Sequence, residues 1–215
     1  MDVLTVIQKL CAGLPWTIAL TLASFIAGAI LAIPLCALRS ARNAQLSYLG
    51  ATVILIVRSI PPIVWLFAVF FAIGQHVIRL SPFTAAVIGL SIITAANLAE
   101  IYRGALKAVP KGQSEASHVI GLSAWQRYRY VLAPQMLRIS LPSASSYAIG
   151  LLKDTAIASA IGVADVALIA NQLTQQTYQG LQIYAWAAVA YFSLSFLMAY
   201  VSRAIDSRLR MRIER

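Results

Sequence analysis

Long runs of apolar residues alternate with short polar segments along the 215-residue chain. The runs from Leu14 to Leu38 and from Tyr184 to Ser202 contain no charged residue at all. A helix of about 20 apolar residues crosses the hydrocarbon core of a bilayer, which is about 30 Å thick. Three further runs are interrupted only by isolated charged residues. The pattern therefore predicts five transmembrane helices, at about residues 14–38, 51–74, 82–106, 139–161 and 184–203.

The composition supports a membrane protein over a soluble domain. The chain is 60% apolar and 11% charged, whereas an average soluble domain has about 25% charged residues. A segment in lipid must satisfy its own backbone hydrogen bonds, and this sequence lacks the two-residue alternation of barrel strands. We therefore expect an all-α integral membrane protein with one transmembrane domain over residues 1–215. The first span is too long for the apolar part of a signal peptide, so we expect it to be retained.

The positions of the basic residues explain the net charge of +10. Lys and Arg collect in the cytoplasmic segments of membrane proteins. With the N-terminus outside, thirteen of the 17 Lys and Arg residues lie in cytoplasmic segments, and only Lys9 and Arg79 lie in external ones. This predicts a multi-pass protein in contact with membrane lipid, with its N-terminus outside, its C-terminus in the cytoplasm and no nucleic-acid partner.

The residues give no sign of catalysis. No Gly-x4-Gly-Lys-Ser/Thr loop for nucleotide phosphates occurs, and no group of Ser, His and Asp lies at matching depth. Cys11 and Cys36 lie near opposite ends of the first span, too far apart for a disulfide, and no metal-ligand spacing is present. We expect no catalytic residue, no cofactor and no metal site.

Two features predict departures from simple spans. The segment Arg58-Ser-Ile-Pro-Pro places two prolines inside the second span, which should kink or break that helix. Such a break is either structural or borders a transport pathway. The external segment from Asp165 to Ile183 lacks Lys and Arg and is predicted to contain a short interfacial helix that meets an external partner.

The loop at about residues 107–138 is a polar interlude in an otherwise apolar chain. A short helix is predicted from Gly112 to Gly121, with Glu115 near its positive end and Gly121 in the left-handed conformation that stops it. Ser123 followed by Gln126 matches a capping box, so a second helix is predicted from Ala124 toward Pro134.

Helix-breaking residues at Pro110, Gly121 and Pro134 are expected to bound rigid pieces of this loop. A two-turn helix is marginal alone in water and needs a surface to rest on. Its apolar members suit a groove on another protein. The Trp and Tyr residues beside Arg127 and Arg129 suit lipid headgroups equally well. The residues alone leave both alternatives open.

This loop resembles the cytoplasmic loop of bacterial ABC-importer permease subunits. The family signature is Glu-Ala-Ala, three residues, Gly, nine residues, Ile, one residue, Leu-Pro. Here Glu115-Ala116-Ser117 is followed by Gly121, then Val131, then Ala133-Pro134. Three positions depart from the signature, at Ser117, Val131 and Ala133, all by small or conservative changes.

Flanking segments resemble the polar amino acid uptake branch of that superfamily, which carries solutes of the His, Lys, Arg, Glu, Gln and opine type. They include AEIYRGALKAVPKGQSEA, GLSAWQ, LAPQMLR, LLKDTAIAS and RSIPPIVWLFAVFFAIG, and the likeness runs from about Leu14 to Ser202. The resemblance implies a type I ABC-importer-like permease of the bacterial plasma (inner) membrane. It also implies a second permease subunit, identical or homologous, two ATPase subunits that bind the ATP, and an external solute-binding protein.

In that family the loop forms the coupling helix that docks on the ATPase. The resemblance therefore assigns ATPase contact to Gly112, Glu115, Ala116, Ser117, His118 and Gly121. For Glu115, a helix-dipole role and direct contact both stay open. Gly121 is expected to be structural, because a side chain would strain the turn.

Ionisable residues inside the bilayer are costly and mark function by default. Arg58 and Glu100 lie at similar depth, so an ion pair between them is feasible, with a gate as the alternative. Lys153 and Asp154 lie deeper, where interhelical structure, gating and substrate contact are all open. Neutral hydrogen bonds nearby are expected from Asn97 and Thr155.

The expected function is therefore a permease subunit of an ATP-driven importer that passes a polar amino acid from the binding protein to the cytoplasm. An opine or another small polar solute is the alternative within transport. A channel or scaffold without ATP coupling is the alternative class.

Overall fold

The computed structural model describes residues 2–74 and 78–211, and every regular element in these ranges is helical. The α-helices, in chain order, are α1 (Val3–Cys11), α2 (Leu14–Arg39), α3 (Ala44–Ser59), α4 (Pro62–Phe67), α5 (Pro82–Ala108), α6 (Lys111–Val119), α7 (Ala124–Arg127), α8 (Ala133–Asp154), α9 (Val166–Thr177) and α10 (Gly180–Met211). Turns of π-helix at Ala68–Ile73 and Tyr128–Leu132, and of 3₁₀-helix at Thr155–Ile161, continue three of them. The expected all-α class is confirmed.

Three helical segments of the described chain are long and apolar enough to cross a membrane unbroken, namely Val3–Arg39, Pro82–Ala108 and Gly180–Ser207. Two bent pairs raise the number to five if each pair is one span. They are Ala44–Ser59 with Pro62–Ile73, bent by 96°, and Ala124–Ile161 with Val166–Thr177, bent by 51°. These five candidates overlap the five predicted spans.

Helices α2 and α5 form the centre of the bundle and run in the same direction. At one end the rings of Trp16 and Phe83 lie 5.7 Å apart. Midway, Gly28 faces Thr94 so closely that an added Cβ would lie 2.5 Å from the threonine side chain. Small residues at such crossings let helix backbones approach. Helix α8 packs beside them, where the Tyr147 hydroxyl donates to Oγ1 of Thr94 at 3.2 Å.

The chain breaks between α3 and α4, as the two prolines predict. Ile60 and Pro61 are both extended, with ψ of 131° and 140°, because a residue before proline avoids the helical region. Pro62 then starts α4 at a position where its missing N–H costs nothing. The Trp65 indole N–H donates to the carbonyl of Val57 at 3.1 Å and satisfies a group freed by the break.

The predicted boundary at Pro134 is wrong. Helix α7, the π-helical turn and α8 form one continuous helical path from Ala124 to Asp154, and Pro134 lies in the first turn of α8. A proline inside an α-helix removes an N–H and collides with the carbonyl four residues earlier. The preceding π-helical turn widens the helix, which accommodates both effects. Pro110, in contrast, ends one helix and caps α6 as expected.

At the end of the bundle opposite α6, a buried polar cluster fixes α9. The carboxylate of Asp165 accepts from the Leu168 N–H at 2.8 Å and from the Tyr191 hydroxyl at 3.2 Å. The Val166 N–H donates to the Thr17 hydroxyl at 3.3 Å. The predicted helix in this segment is therefore present, and its apolar face is buried within the chain, against α1 and α10.

Candidate functional site

The turn after α6 has the geometry that the sequence predicts. Gly121 has a φ of +79°. Its N–H donates to the His118 carbonyl at 3.0 Å, and the Leu122 N–H donates to the Ser117 carbonyl at 3.2 Å. These two bonds are the pattern of a Schellman motif, which closes a helix through a left-handed residue. The prediction that Gly121 stops the helix in this conformation is confirmed.

A capping box holds the start of α7 directly after this turn. The Ser123 hydroxyl accepts from the Gln126 N–H at 3.3 Å, and the Gln126 side chain accepts from the Ser123 N–H at 2.9 Å. The side chains of Gln113 and Gln135 also bond at 3.3 Å and tie α6 to α8. The loop is therefore a compact hairpin of two helices joined to a long helix of the bundle.

Helix α6 presents an exposed apolar tip. Val119 is 85% exposed and Ile120 is 73% exposed. Five of the six predicted contact residues are exposed as well, namely Gly112, Glu115, Ala116, His118 and Gly121. Ser117 is the exception, since it is 3% exposed and its hydroxyl donates to the Ser114 carbonyl at 2.8 Å. Ser117 therefore packs inside the hairpin, which removes it from the residues that a partner could touch.

The position of Glu115 separates its two proposed roles. Helix α6 begins at Lys111, and no acidic residue lies in its first turn. The dipole effect falls off within the first turn of a helix, so Glu115 gains little from it. The Glu115 side chain forms no ion pair or hydrogen bond with the described residues. The geometry favours the contact role.

The aromatic residues of α7 and the following turn form a second exposed surface. Trp125 is 68% exposed and stacks on Tyr128, and Tyr130 is 66% exposed with the Arg129 guanidinium 5.9 Å from its ring. The apolar residues that suit a protein groove lie at the end of α6, whereas the aromatic residues that suit lipid headgroups lie on α7 and the turn after it.

The expected pair between Arg58 and Glu100 is wrong. Glu100 accepts from Nε of Arg103 at 3.0 Å and lies 3.5 Å from Nε of Arg39. Arg103 is three residues from Glu100 on the same helix face, and Arg39 ends the neighbouring α2, so both are nearer. Arg58 shares a cavity of about 480 Å³ with Glu100 and Arg39 without contacting the carboxylate.

Lys153 and Asp154 are exposed at the end of α8. Thr155, beside them, is fully buried, and its hydroxyl donates to the Leu152 carbonyl at 2.7 Å. Thr155 is therefore not free to bond a solute, contrary to expectation. Asn97 is half-buried, with its amide donating to the Ile93 carbonyl at 2.9 Å.

Tyr147 connects Asn97, Asp154 and Arg58, and these four residues, together with the exposed Lys153 next to Asp154, are called the polar face. It lies near Asn97 and within electrostatic range of Asp154 and Arg58. Charged groups in a bilayer do not face lipid without a large cost. The exposed residues Arg58, Lys153 and Asp154 must therefore face either a protein partner or a water-filled path. Sequence reasoning missed Tyr147, because nothing in an apolar run distinguishes a tyrosine on this face from one in the core.

A bundle of apolar helices with a charged exposed face, and with a short rigid helix displayed at one end, defines a membrane transport subunit. The chain belongs to the family of binding-protein-dependent transport system inner membrane components, whose family model matches residues 24–211. It is therefore a multi-pass inner-membrane protein and a permease subunit of an ATP-driven importer. It is not an enzyme, because ATP hydrolysis in these systems belongs to a separate subunit.

Two relatives and one solved structure illustrate the likeness. The chain is 36% identical over 201 residues to the L-cystine transport system permease protein TcyB of Bacillus subtilis, covering 93% of this chain and 86% of TcyB. It is 28% identical to the nopaline transport system permease protein NocM of Agrobacterium fabrum, covering 93% and 88%. The crystal structure of an amino acid ABC transporter with histidines matches with a TM-score of 0.85 at 27% identity, covering 97% of this chain and 99% of that one.

Proposed function

We propose that this permease carries a polar amino acid from an external binding protein into the cytoplasm. It works as one of two permease subunits, identical or homologous, above two ATPase subunits that bind the ATP. The exposed tip of α6 carries the proposal. The nine-residue α6 and the residue that follows it carry two apolar side chains that are more than 70% exposed, and burial of these side chains against a partner would stabilise the helix further.

The charges of the polar face support a polar amino acid as the solute. A zwitterionic amino acid presents one carboxylate and one ammonium group. Arg58 and Lys153 offer positive charge on this face, and Asp154 offers negative charge beside them. Asn97 and Tyr147 add neutral polar groups. The relatives above, for cystine and nopaline, have solutes that carry both kinds of charge, which is the chemistry this face accommodates.

Uptake into reconstituted vesicles tests the function. We expect the permease, combined with its ATPase and binding protein, to accumulate a labelled amino acid only when ATP is supplied on the ATPase side. Cystine, glutamine, arginine, histidine and nopaline form the solute panel. Flux that is equal with and without ATP would contradict the importer and favour a channel. Transport of nopaline alone would replace the amino acid by an opine.

The two cysteines give a direct test of the proposed orientation. Cys11 is exposed and Cys36 is 5% exposed, so a membrane-impermeant maleimide should react at Cys11 alone. With the N-terminus outside, we expect labelling of the wild type in unbroken spheroplasts. The Cys11→Ser control should stay unlabelled, and Lys111→Cys in that background should react only after permeabilisation. The reverse pattern would place the N-terminus in the cytoplasm.

A further inference from the structure

A cavity of about 360 Å³ opens at the α6 end of the bundle, where α2 ends and α3 begins. Its polar lining consists of Arg39, Ser40, Ser47, Arg103 and Lys107. Arg103 and Lys107 are four residues apart on α5 and so share one face of that helix. Arg39 also lines the neighbouring cavity that contains Arg58, whereas Ser40, Ser47, Arg103 and Lys107 line this cavity alone.

The cavity has a surplus of positive charge. Three cations line it, and its lining contains no acidic residue within the described chain. The nearby carboxylate of Glu100 pairs with Arg39 and Arg103 but lines the neighbouring cavity. One carboxylate against three cations leaves two positive charges uncompensated. Lys107 contributes one of them, since it forms no ion pair with the described residues.

The cavity is held in shape before any ligand arrives. Nη1 of Arg39 donates to the Ser47 hydroxyl at 2.9 Å, and that hydroxyl donates to the Arg39 carbonyl at 2.9 Å. Gly50 packs so tightly that an added Cβ would lie 2.9 Å from the Arg39 backbone nitrogen. A fixed guanidinium, the ammonium of Lys107 and the Ser40 hydroxyl around a small cavity match the oxygens of a phosphate group.

An apolar groove along the start of α3 indicates that the phosphate belongs to a lipid and is not a free ion. The groove is about 630 Å³ and is lined by Ala44, Gln45, Tyr48, Leu49 and Thr52. Tyr48 is 77% exposed and Leu49 is 53% exposed. Ser47 in the cavity and Tyr48 in the groove are neighbours in sequence and point about 100° apart, so the two depressions lie on adjacent sides of the first turns of α3. A free phosphate needs no apolar groove, whereas a phospholipid presents a phosphate and an acyl chain together.

We propose that this cavity binds the phosphate of an anionic phospholipid whose acyl chain lies in the groove on α3. Basic pockets between transmembrane helices bind such headgroups, and each nearby cation contributes enough for about a fivefold change in affinity. The site goes beyond the transport role and is tested on the permease alone.

Native mass spectrometry of the full chain in neutral detergent measures the binding. We expect dioleoylphosphatidylglycerol to remain bound at concentrations where dioleoylphosphatidylcholine does not. Lys107→Gln should weaken phosphatidylglycerol binding about fivefold. Arg42→Gln is the control, because Arg42 is an exposed arginine next to the cavity-lining Ala41 that does not itself line the cavity. It should change binding less than twofold. Equal losses in both variants would show diffuse attraction to the surface and overturn the site.

Two further arms separate a lipid from a free anion. Inorganic phosphate and glycerol 1-phosphate should compete poorly, and Tyr48→Ser should weaken lipid binding several-fold. Competition by inorganic phosphate at equal concentration would make this an anion site without a lipid. Unchanged lipid binding by Tyr48→Ser would remove the groove from the proposal. Thermal unfolding of each variant confirms that the fold is kept, since these side chains are exposed or lie at the cavity wall.

Discussion

Replacing Gly121 by valine is expected to reduce ATP-driven uptake at least about tenfold while the transmembrane bundle stays folded. Gly121 has a φ of +79°, and no atom lies within 4 Å of a Cβ built on it. The cost is therefore backbone strain rather than a clash, about 1–2 kcal/mol for a residue with a side chain and more when it is β-branched. The two bonds of the Schellman motif then open, and the exposed tip of α6 loses its direction. A strain of about 1.4 kcal/mol lowers the population of the closed turn, relative to the open one, about tenfold.

Two substitutions control this experiment. Gly121→Asn should keep most of the uptake, because asparagine tolerates the left-handed conformation. Gly104→Ala changes a glycine of the preceding helix α5, where the backbone is helical and open space surrounds the position, and it should leave uptake unchanged. Recovery of the ATPase with the purified permease is measured in parallel. Full uptake and full ATPase recovery in Gly121→Val would refute the role of α6 as the coupling element.

The spans and the hairpin could be predicted because their causes are local. The length of an apolar run indicates whether a helix can cross a bilayer. A glycine that ends a helix, or a serine and a glutamine that cap one, depends only on residues a few positions away. Helix α1 was missed for the opposite reason. Its apolar residues Val6 and Leu10 are buried only because α9 and α10 fold back over them, which no pattern within residues 3–11 shows.

The errors concern contacts whose geometry the sequence does not fix. Depth along a span suggested Arg58 as the partner of Glu100, but a partner also depends on how each helix is rotated and which helices are neighbours. The spacing of Glu100 and Arg103 was a usable signal, because residues three apart on a helix meet. The sequence likewise does not show how a helix will respond to a proline. A π-helical turn accommodates Pro134, whereas Pro61 breaks its span.

The crossing of α2 and α5 is expected to be a position where the addition of one methyl group lowers the stability of the bundle. In Gly28→Ala the new Cβ would lie 2.5 Å from both Cβ and Cγ2 of Thr94 and 3.0 Å from the Ser91 carbonyl oxygen. Thr94 is fully buried and bonded to Tyr147, so it has little freedom to move. The two helices must separate, and overpacking of this kind costs about 1–3 kcal/mol.

Gly150→Ala is the matched control, because it makes the same change inside another helix where nothing lies within 4 Å of the added Cβ. Alanine is favoured over glycine in a helix by about 1 kcal/mol, so this variant should be at least as stable as the wild type. Gly28→Ala receives the same helical gain and should still unfold at a lower temperature. The difference between the two midpoints, measured on the purified permease in one detergent, isolates the cost of the crossing. Equal midpoints would mean that α2 and α5 are not in contact through Gly28 and that the centre of the bundle is packed differently.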